Sequence, residues 1–181
     1  MNSICIFCQR DHTDTTIEHI IPRSLGNIHY ILPKGKVCNK CNHRFSKYEN
    51  QVLSSPAFME ERRRLKILNA SNQQIGPPMK LASKNNFLLK MAYEAIYKSR
   101  PKLLDQYDLE PVREHLVSGK VLSFLDDQKL GPIQTQKSIP KWLQAFRLKN
   151  GKMKLEYLET VDQRLFVQFQ LGRLTMRTRL A

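Results

Sequence analysis

Two CxxC pairs constrain the fold of this chain more than any other feature. They are Cys5-Ile-Phe-Cys8 and Cys38-Asn-Lys-Cys41, and they account for all four cysteines among the 181 residues. Two such turns, each supplying two thiolates, are typical of a closed tetrahedral zinc site. Because a closed site has no open coordination position, we expect this zinc to be structural and to contribute directly to folding of the N-terminal segment.

The rest of the sequence indicates the cellular compartment in which such a site would form. No run approaches the roughly 18 consecutive apolar residues that a membrane span needs, so we expect no membrane partner. Residues 1–8 lack a basic region followed by a long apolar run, which predicts no secretory signal and a cytoplasmic location. In a reducing compartment, cysteines at this spacing bind metal more often than they form disulfides.

Helical patterns follow the cysteine-rich segment. A helix is predicted at residues 55–68, because Ser55 can cap it, Pro56 suits its first position, and apolar residues follow that can pack on a core. A second helix runs from Phe87 and ends before Pro101, because a proline disfavours the helical conformation in the residue that precedes it. A third spans Pro111–Ser118 and is stopped by Gly119.

From residue 142 onward the apolar period changes to two, which predicts antiparallel strands. The Asn150-Gly151 pair is typical of a hairpin with a type I′ turn. Two more strands are expected in residues 165–171 and 174–180. Alternate positions of the last one carry Arg173, Thr175, Arg177 and Arg179. This polar face either follows a phosphate backbone or is the solvated face of a charged edge strand.

Together these patterns predict an α+β fold. A zinc-stapled module comes first, followed by a small body of two or three helices and a C-terminal antiparallel sheet. We assign the module to residues 1–68 and the body to residues 84–181. Residues 69–83 are the predicted linker, because residues 69–78 are rich in Asn, Gln, Gly, Ser and Pro. The body is a candidate for binding nucleic acid or a partner protein.

The charge of the chain bears on its partner. The formal net charge is +14, from 30 lysines and arginines against 16 carboxylates. A surface of this sign attracts polyanions, and phosphate contacts that release counterions make nucleic acid the commonest partner. The competing interpretation is a protein kept soluble by its lysines, and charge alone does not separate the two.

A short polar motif lies between the two cysteine pairs. It begins Ile17-Glu18-His19-Ile20-Ile21 and continues with Pro, Arg, Ser, Leu and Gly. Adjacent side chains on an extended segment point to opposite faces, so a carboxylate next to a histidine lets one group face a metal while the other faces a water. Without the flanking cysteines, two surface residues on a turn would be an equally good interpretation.

The order CxxC, EHIIPxSLG, CxxCN, followed by Phe45 and Glu49, closely resembles the zinc-bracketed branch of the HNH endonuclease family. More distantly, it resembles the phage junction-resolving endonucleases. The resemblance covers about residues 4–50. It implies a ββα-metal fold and an enzyme that hydrolyses phosphodiester bonds of DNA, with RNA as an alternative substrate. A homodimer or a partner protein stays open.

The resemblance also implies roles for individual residues. His19 would be the general base that deprotonates the attacking water. Glu18 and Asn42 occupy the places of the two ligands of the catalytic metal, Mg²⁺ or Mn²⁺. Three further residues are candidates for supporting roles: Asn27, His29 and Glu49. Asn27 or His29 would orient His19, whereas Glu49 would reach the metal through water or serve only the fold.

Basic residues are the candidates for contacts to the nucleic-acid backbone. Within and beside the module they are Arg23, Lys40, Arg44 and Lys47, and on the last strand they are Arg173, Arg177 and Arg179. Such contacts position a duplex without reading its sequence.

Two other functions remain open at this point. A zinc-ribbon module that binds DNA or RNA without cleaving it explains the cysteines and the charge equally well, but leaves Glu18, His19 and Asn42 unexplained. A structural subunit with a decayed active site is the third interpretation. The specificity of cleavage and the choice between nicking and double-strand cutting do not follow from the sequence.

Overall fold

The N-terminal cysteine pair lies on a small hairpin. A computed structural model describes residues 2–67, 75–125, 129, 131–138 and 153–181. Strand β1 (Ser3–Ile4) pairs antiparallel with β2 (Asp11–His12). Between them the chain turns tightly, and the amide of Cys5 donates to the carbonyl of Arg10 at 3.1 Å. The first CxxC is therefore held on a turn, as a metal knuckle requires.

A second hairpin and a helix complete the N-terminal ββα arrangement. We call residues 18–20 and 30–32 the His19 hairpin, because His19 and Ile31 form an antiparallel bridge at its centre. The amide of Ile20 donates to Tyr30 at 3.1 Å, and that of Leu32 donates to Glu18 at 2.9 Å. Helix α1 (Asn39–Leu53) follows directly after Cys38, so the second CxxC lies at its start.

In the described part of the chain, four more α-helices follow, three of which correspond to the predicted ones. They are α2 (Pro56–Arg64), α3 (Leu81–Ser99), α4 (Lys102–Gln106) and α5 (Glu110–Ser118). Helix α2 ends four residues before the predicted limit of residue 68, which itself lies outside the described residues. Helix α3 starts at Leu81, so part of the predicted linker is helical. Among the described residues, no helix is long and apolar enough to cross a membrane.

The C-terminal sheet is antiparallel, as predicted. Its strands are β3 (Ile133–Ser138), β4 (Met153–Thr160), β5 (Leu165–Leu171) and β6 (Leu174–Arg179), in the spatial order β3-β4-β5-β6. Strand β3 was not predicted. The first strand and the turn of the hairpin expected around Asn150-Gly151 lie outside the described residues, whereas its second strand, from Met153 onward, is part of β4. The α+β fold class is confirmed.

Helix α3 is the centre of the molecule. Every residue from Phe87 to Ile96 is buried, which shows that this helix is covered on all sides. It packs against α1 on one side and against β5 and β6 on another. Ring pairs continue the contact from α2 to the sheet, with Phe58 6.1 Å from Phe87 and Phe87 6.2 Å from Phe169 between centroids. One apolar cluster thus joins the cysteine-rich segment to the sheet.

Helix α3 also holds the His19 hairpin. The hydroxyl groups of Tyr30 and Ser99 are 3.0 Å apart, and the Lys98 ammonium donates to the carbonyl of Ile31. The same ammonium lies 5.7 Å from the centre of the Tyr30 ring, within the range of a cation–π contact.

A second polar contact joins α2 to the sheet. One oxygen of Glu61 accepts a hydrogen bond from the backbone amide of Arg173 at 2.7 Å, in the turn between β5 and β6. Glu61 also accepts from Arg64 Nε at 2.9 Å. Gly172 in this turn has φ +55°, and a Cβ there would lie 1.8 Å from the Glu61 carboxylate. A side chain at this position would strain the backbone and displace the Glu61 carboxylate, so glycine is favoured here.

Candidate active site

The four cysteine sulfurs come together, as the sequence predicts. They lie within 4.8 Å of one another, although the two CxxC pairs are on different elements, β1 to β2 and the start of α1. Cys5, Cys38 and Cys41 are buried and Cys8 is partly exposed. None of them is in a disulfide. This set of sulfurs fits a tetrahedral metal ion of the zinc type.

The protonation of these thiols shows why a cation suits the cluster. A hydrogen bond from Cys41 lowers the pKa of Cys5 to about 4. The same contact, together with burial, raises the pKa of Cys41, and burial raises that of Cys38. One thiolate therefore suppresses ionisation of its neighbours. A divalent metal removes this penalty, since it is held by deprotonated sulfur.

The two motif residues on the His19 hairpin have different environments. Glu18 is 6 % exposed, whereas the neighbouring His19 is only half-buried. Burial lowers the pKa of His19, and the charges of Arg23 and Lys90 act in the same direction, against Glu18 and Glu49. His19 is therefore neutral near pH 7, which is the form that can accept a proton.

A buried lysine, Lys90 of α3, binds the carboxylate of Glu18. Lys90 is 1 % exposed, and its ammonium donates to Glu18 Oε1 and lies 3.3 Å from the carbonyl of His19. The same nitrogen is 2.8 Å from Glu49 and 3.1 Å from Glu94. We call Lys90, Glu18, Glu49 and Glu94 the Lys90 cluster. It brings together two predicted site residues that are far apart in sequence, Glu18 and Glu49.

In the Lys90 cluster one ammonium group contacts three carboxyl groups, and burial shifts the pKa of two members of the cluster. Burial raises the pKa of Glu94 well above its usual value, with Lys90 only partly opposing it. Burial alone would lower the pKa of Lys90, but the nearby carboxylates raise it well above its usual value. At neutral pH we therefore assign a positive charge to Lys90 and a proton to Glu94.

The predicted ligands of a catalytic metal offer suitable oxygen atoms. Glu18 Oε1 is bound to Lys90, and no hydrogen bond to Glu18 Oε2 occurs among the described residues. Asn42 is half-buried in the first turn of α1, and within the described part of the chain its side-chain amide makes no hydrogen bond. A carboxylate oxygen and an amide oxygen fit a hard divalent cation such as Mg²⁺. Glu49 follows Asn42 by two helical turns and thus shares its face of α1.

The two candidates for orienting His19 differ sharply. Asn27 is fully buried, and its amide nitrogen donates to the carbonyls of Ile21 and Tyr30, at 2.9 Å for Tyr30. Its amide oxygen accepts from the backbone amides of His29 and Tyr30 at 3.1 and 2.9 Å. Asn27 therefore fixes the loop of the His19 hairpin. The side chain of His29 is exposed, and the contacts described for that residue are made by its backbone.

Comparison with known families agrees with this geometry. A family model described as HNH endonuclease matches residues 5–55, from the first cysteine of the cluster to the residue before α2. Residues 5–55 match the HNH endonuclease family. No curated protein and no solved structure matches the chain. We call the matched segment the HNH module. The match confirms the resemblance inferred from the motif and indicates nuclease activity on a nucleic acid.

The predicted backbone contacts lie on and around the HNH module and on β6. Arg23, Lys40, Lys47 and Arg173 are exposed, and Arg44, Arg177 and Arg179 are half-buried. Arg179 stacks on Phe124 with its guanidinium carbon 5.4 Å from the ring centre, and its Nε donates to the carbonyl of Ala181. Its contacts stabilise the end of β6, so Arg173 and Arg177 are better placed for a ligand.

The sequence prediction missed Lys90 and Glu94, which belong to the body rather than the HNH module. The sequence does contain a feature that points to these two residues. The two residues are spaced i, i+4 in the middle of the apolar run of α3. Charged residues inside a helix that is apolar on all sides are rarely buried unless they are paired. Such a pair therefore indicates a buried ionic contact, although not the identity of its partners.

Proposed function

We propose that this protein is a metal-dependent endonuclease that hydrolyses phosphodiester bonds of DNA. The observation that carries the proposal is the HNH family match over residues 5–55, in which His19 is neutral and adjacent to a buried carboxylate. The net charge of +14 supports a polyanionic substrate.

In the proposed reaction, His19 takes a proton from a water molecule as its oxygen attacks the phosphorus. The new P–O bond forms in line with the bond between phosphorus and the 3′ oxygen. That bond breaks, and the leaving 3′ oxygen takes up a proton from solvent. The products are a 5′-phosphate and a 3′-hydroxyl. The imidazolium of His19 then returns its proton to solvent.

The other residues position these groups. Glu18 and Asn42 would hold the divalent cation, which supplies positive charge to the phosphate oxygens and to the leaving oxygen when bound. Asn27 holds the hairpin that carries His19. Lys90 fixes one oxygen of Glu18 and thereby its orientation. We assign zinc to the four cysteines. Cys41, held in this way, would position Asn42, which directly follows it in the sequence.

One observation favours the alternative of a zinc-stapled module that binds nucleic acid without cleaving it. Lys90 already supplies a positive charge to Glu18, so this carboxylate is stable without a metal. That alternative predicts that replacing His19 changes nothing measurable.

Cleavage of supercoiled plasmid separates the two functions. Wild type should nick the plasmid with Mg²⁺ or Mn²⁺ and not without added divalent cation. His19→Ala should lose at least about 100-fold, the lower range for general-base catalysis. His43→Ala is the matched control, because His43 is an exposed histidine of α1. Tight DNA binding with no cleavage by wild type or either variant would refute the proposal and support the binding module.

A further inference from the structure

A cavity of about 460 Å³ lies beside the His19 hairpin and has no assigned function. Its walls come from the loop after His19, the end of α1, helix α2 and residues 75–77. Six of the described residues around it are Ser24, Asn50, Ser54, Met59, Arg62 and Gly76. Its size is within the range of small-ligand sites in proteins.

A buried arginine lines this cavity. Arg62 is 4 % exposed, and no carboxylate forms an ion pair with it among the described residues. One of its terminal nitrogens lies 3.3 Å from the carbonyl oxygen of Ser24, and the other lies 3.7 Å from the sulfur of Met59. Its Nε has no partner in the described part of the chain. A guanidinium stays charged at neutral pH, and burying it without an anion is costly.

The remaining walls are suited to an anion. The hydroxyl oxygen of Ser24 is buried and has no hydrogen-bond partner among the described residues. Apart from Arg62, the described residues that line the cavity are uncharged. The segment at Gly76 is held in place, because its amide donates to the carbonyl of Ser54 at 2.7 Å. The wall of the cavity therefore contains one cation and, among the described residues, no acidic group that would repel an anion.

We propose that this cavity binds a phosphate group of the nucleic acid other than the one that is cleaved. The identity of the ligand rests on the proposed function. Arginine is well matched to phosphate because its planar fork donates two parallel hydrogen bonds. The cavity borders the loop that follows His19, because Ser24 in its wall lies five residues after His19. Asn50 directly follows Glu49 of the Lys90 cluster.

The first experiment uses inorganic phosphate as the probe and does not depend on catalysis. Thermal unfolding of the zinc-loaded protein is compared in phosphate and in chloride at equal ionic strength. At about ten times the Kd, phosphate should raise the unfolding temperature of wild type by roughly 3–6 °C. Arg62→Met should lose this rise, and Arg63→Met, an exposed neighbour on α2, should keep it. An equal response of wild type and Arg62→Met would overturn the proposal.

The phosphate test requires that the Arg62→Met variant folds. Arg62→Met removes a buried charge without a countercharge, so we expect it to unfold at the same temperature as wild type or higher in chloride. If it fails to fold, Ser24→Ala takes its place, and an undiminished response to phosphate in that variant would overturn the proposal.

The second experiment identifies the source of the phosphate. In a His19→Ala background, which prevents cleavage, adding Arg62→Met should weaken binding of duplex DNA about tenfold. It should also reduce the magnitude of the salt slope by about 1. Loss of the phosphate response with unchanged DNA affinity would overturn the assignment to nucleic acid. A wild-type protein that responds to phosphate through Arg62 but cleaves no DNA would refute only the proposed nuclease function.

Discussion

At the scale of single residues, the Lys90 cluster joins the HNH module to the body. Lys90 lies 72 positions after Glu18 and 41 after Glu49, yet its ammonium contacts both carboxylates. Each of these acids would otherwise be largely buried without a cation. We therefore expect Lys90 to contribute more to stability than any surface ion pair of this protein.

Replacing Lys90 tests this expectation. Lys90→Met should lower the free energy of unfolding by roughly 3–5 kcal/mol, because Glu18 and Glu49 lose their countercharge. Glu94→Gln is the matched control, since Glu94 already carries a proton and the exchange preserves its shape. Urea unfolding measures both. A Lys90→Met protein as stable as wild type would show that the cluster does not stabilise the fold.

The sequence predicts the site residues of the HNH module much better than the residues that support them. The cysteines, Glu18 and His19 belong to motifs that can be recognised within residues 5–41 of the sequence. Lys90 and Arg62 belong to other helices, and their role depends on how those helices pack. Asn27 lies within the motif region, but only the hairpin shows that both ends of its amide are used by the backbone.

At the scale of elements, the contact between α2 and the β5–β6 turn depends on one carboxylate. A hydrogen bond from Arg64 lowers the pKa of Glu61 to about 2, and the amide of Arg173 acts in the same direction. Because the pKa is lower in the folded state than the ordinary value of 4.5, this contact stabilises the fold above pH 4.5 and is lost as pH falls toward 2.

The pH dependence of a Glu61 variant measures this contribution. Above about pH 5, Glu61→Gln should unfold at a lower temperature than wild type. The difference should shrink as pH falls from 4.5 through 2, because Glu61 becomes neutral like glutamine only below its folded-state pKa of about 2. Glu60→Gln, an exposed neighbour, should show no such trend. A difference that does not vary with pH would contradict an ionised Glu61 as its cause.

Metal removal is expected to act on particular elements. The β1–β2 hairpin and the first turn of α1 carry the four cysteines, so both depend on the zinc. A purified sample should contain about one equivalent of zinc. After chelation, hydrogen exchange should speed up in these two elements, and α3 should stay protected because it is covered by α1 and the sheet. Unchanged exchange after complete removal of zinc would rule out a structural metal.

The elements themselves were predicted unevenly. Helices α3 and α5 and strands β4 to β6 follow from apolar periodicity and from the prolines and glycines at their ends. Strand β3 was missed because Ile-Gln-Thr-Gln-Lys-Ser contains one apolar residue. It is a strand because its backbone pairs with β4 at one edge of the described sheet, and edge strands need little hydrophobicity.

At the scale of the whole molecule, the surplus of positive charge predicts how DNA affinity depends on salt. Binding should weaken linearly on a log–log plot, with a slope of about −0.9 for each phosphate contacted. Arg173→Gln, an exposed change in the turn that precedes β6, should reduce the magnitude of this slope by about 1 if this end of the sheet contacts the backbone. An affinity that does not change with salt would exclude phosphate contacts as its source.

The division into a zinc-stapled module at residues 1–68 and a body at residues 84–181 remains a prediction. The apolar cluster of the described residues passes from the cysteine-rich segment through α3 to the sheet. Composition marks a boundary along the chain, but it carries no information about contacts made across that boundary. Helix α3 supplies those contacts through apolar packing, through Lys90 and through Lys98.

The position of α3 has a consequence for protein engineering. Residues 5–55 contain every motif by which the family is recognised, yet Glu18 and Glu49 receive their counter-ion from outside this segment. A graft of the segment alone onto another scaffold would transfer the recognisable sequence with two carboxylates left uncompensated. The smallest portable unit is the segment together with α3, and a designer who starts from motif boundaries would cut the chain too early.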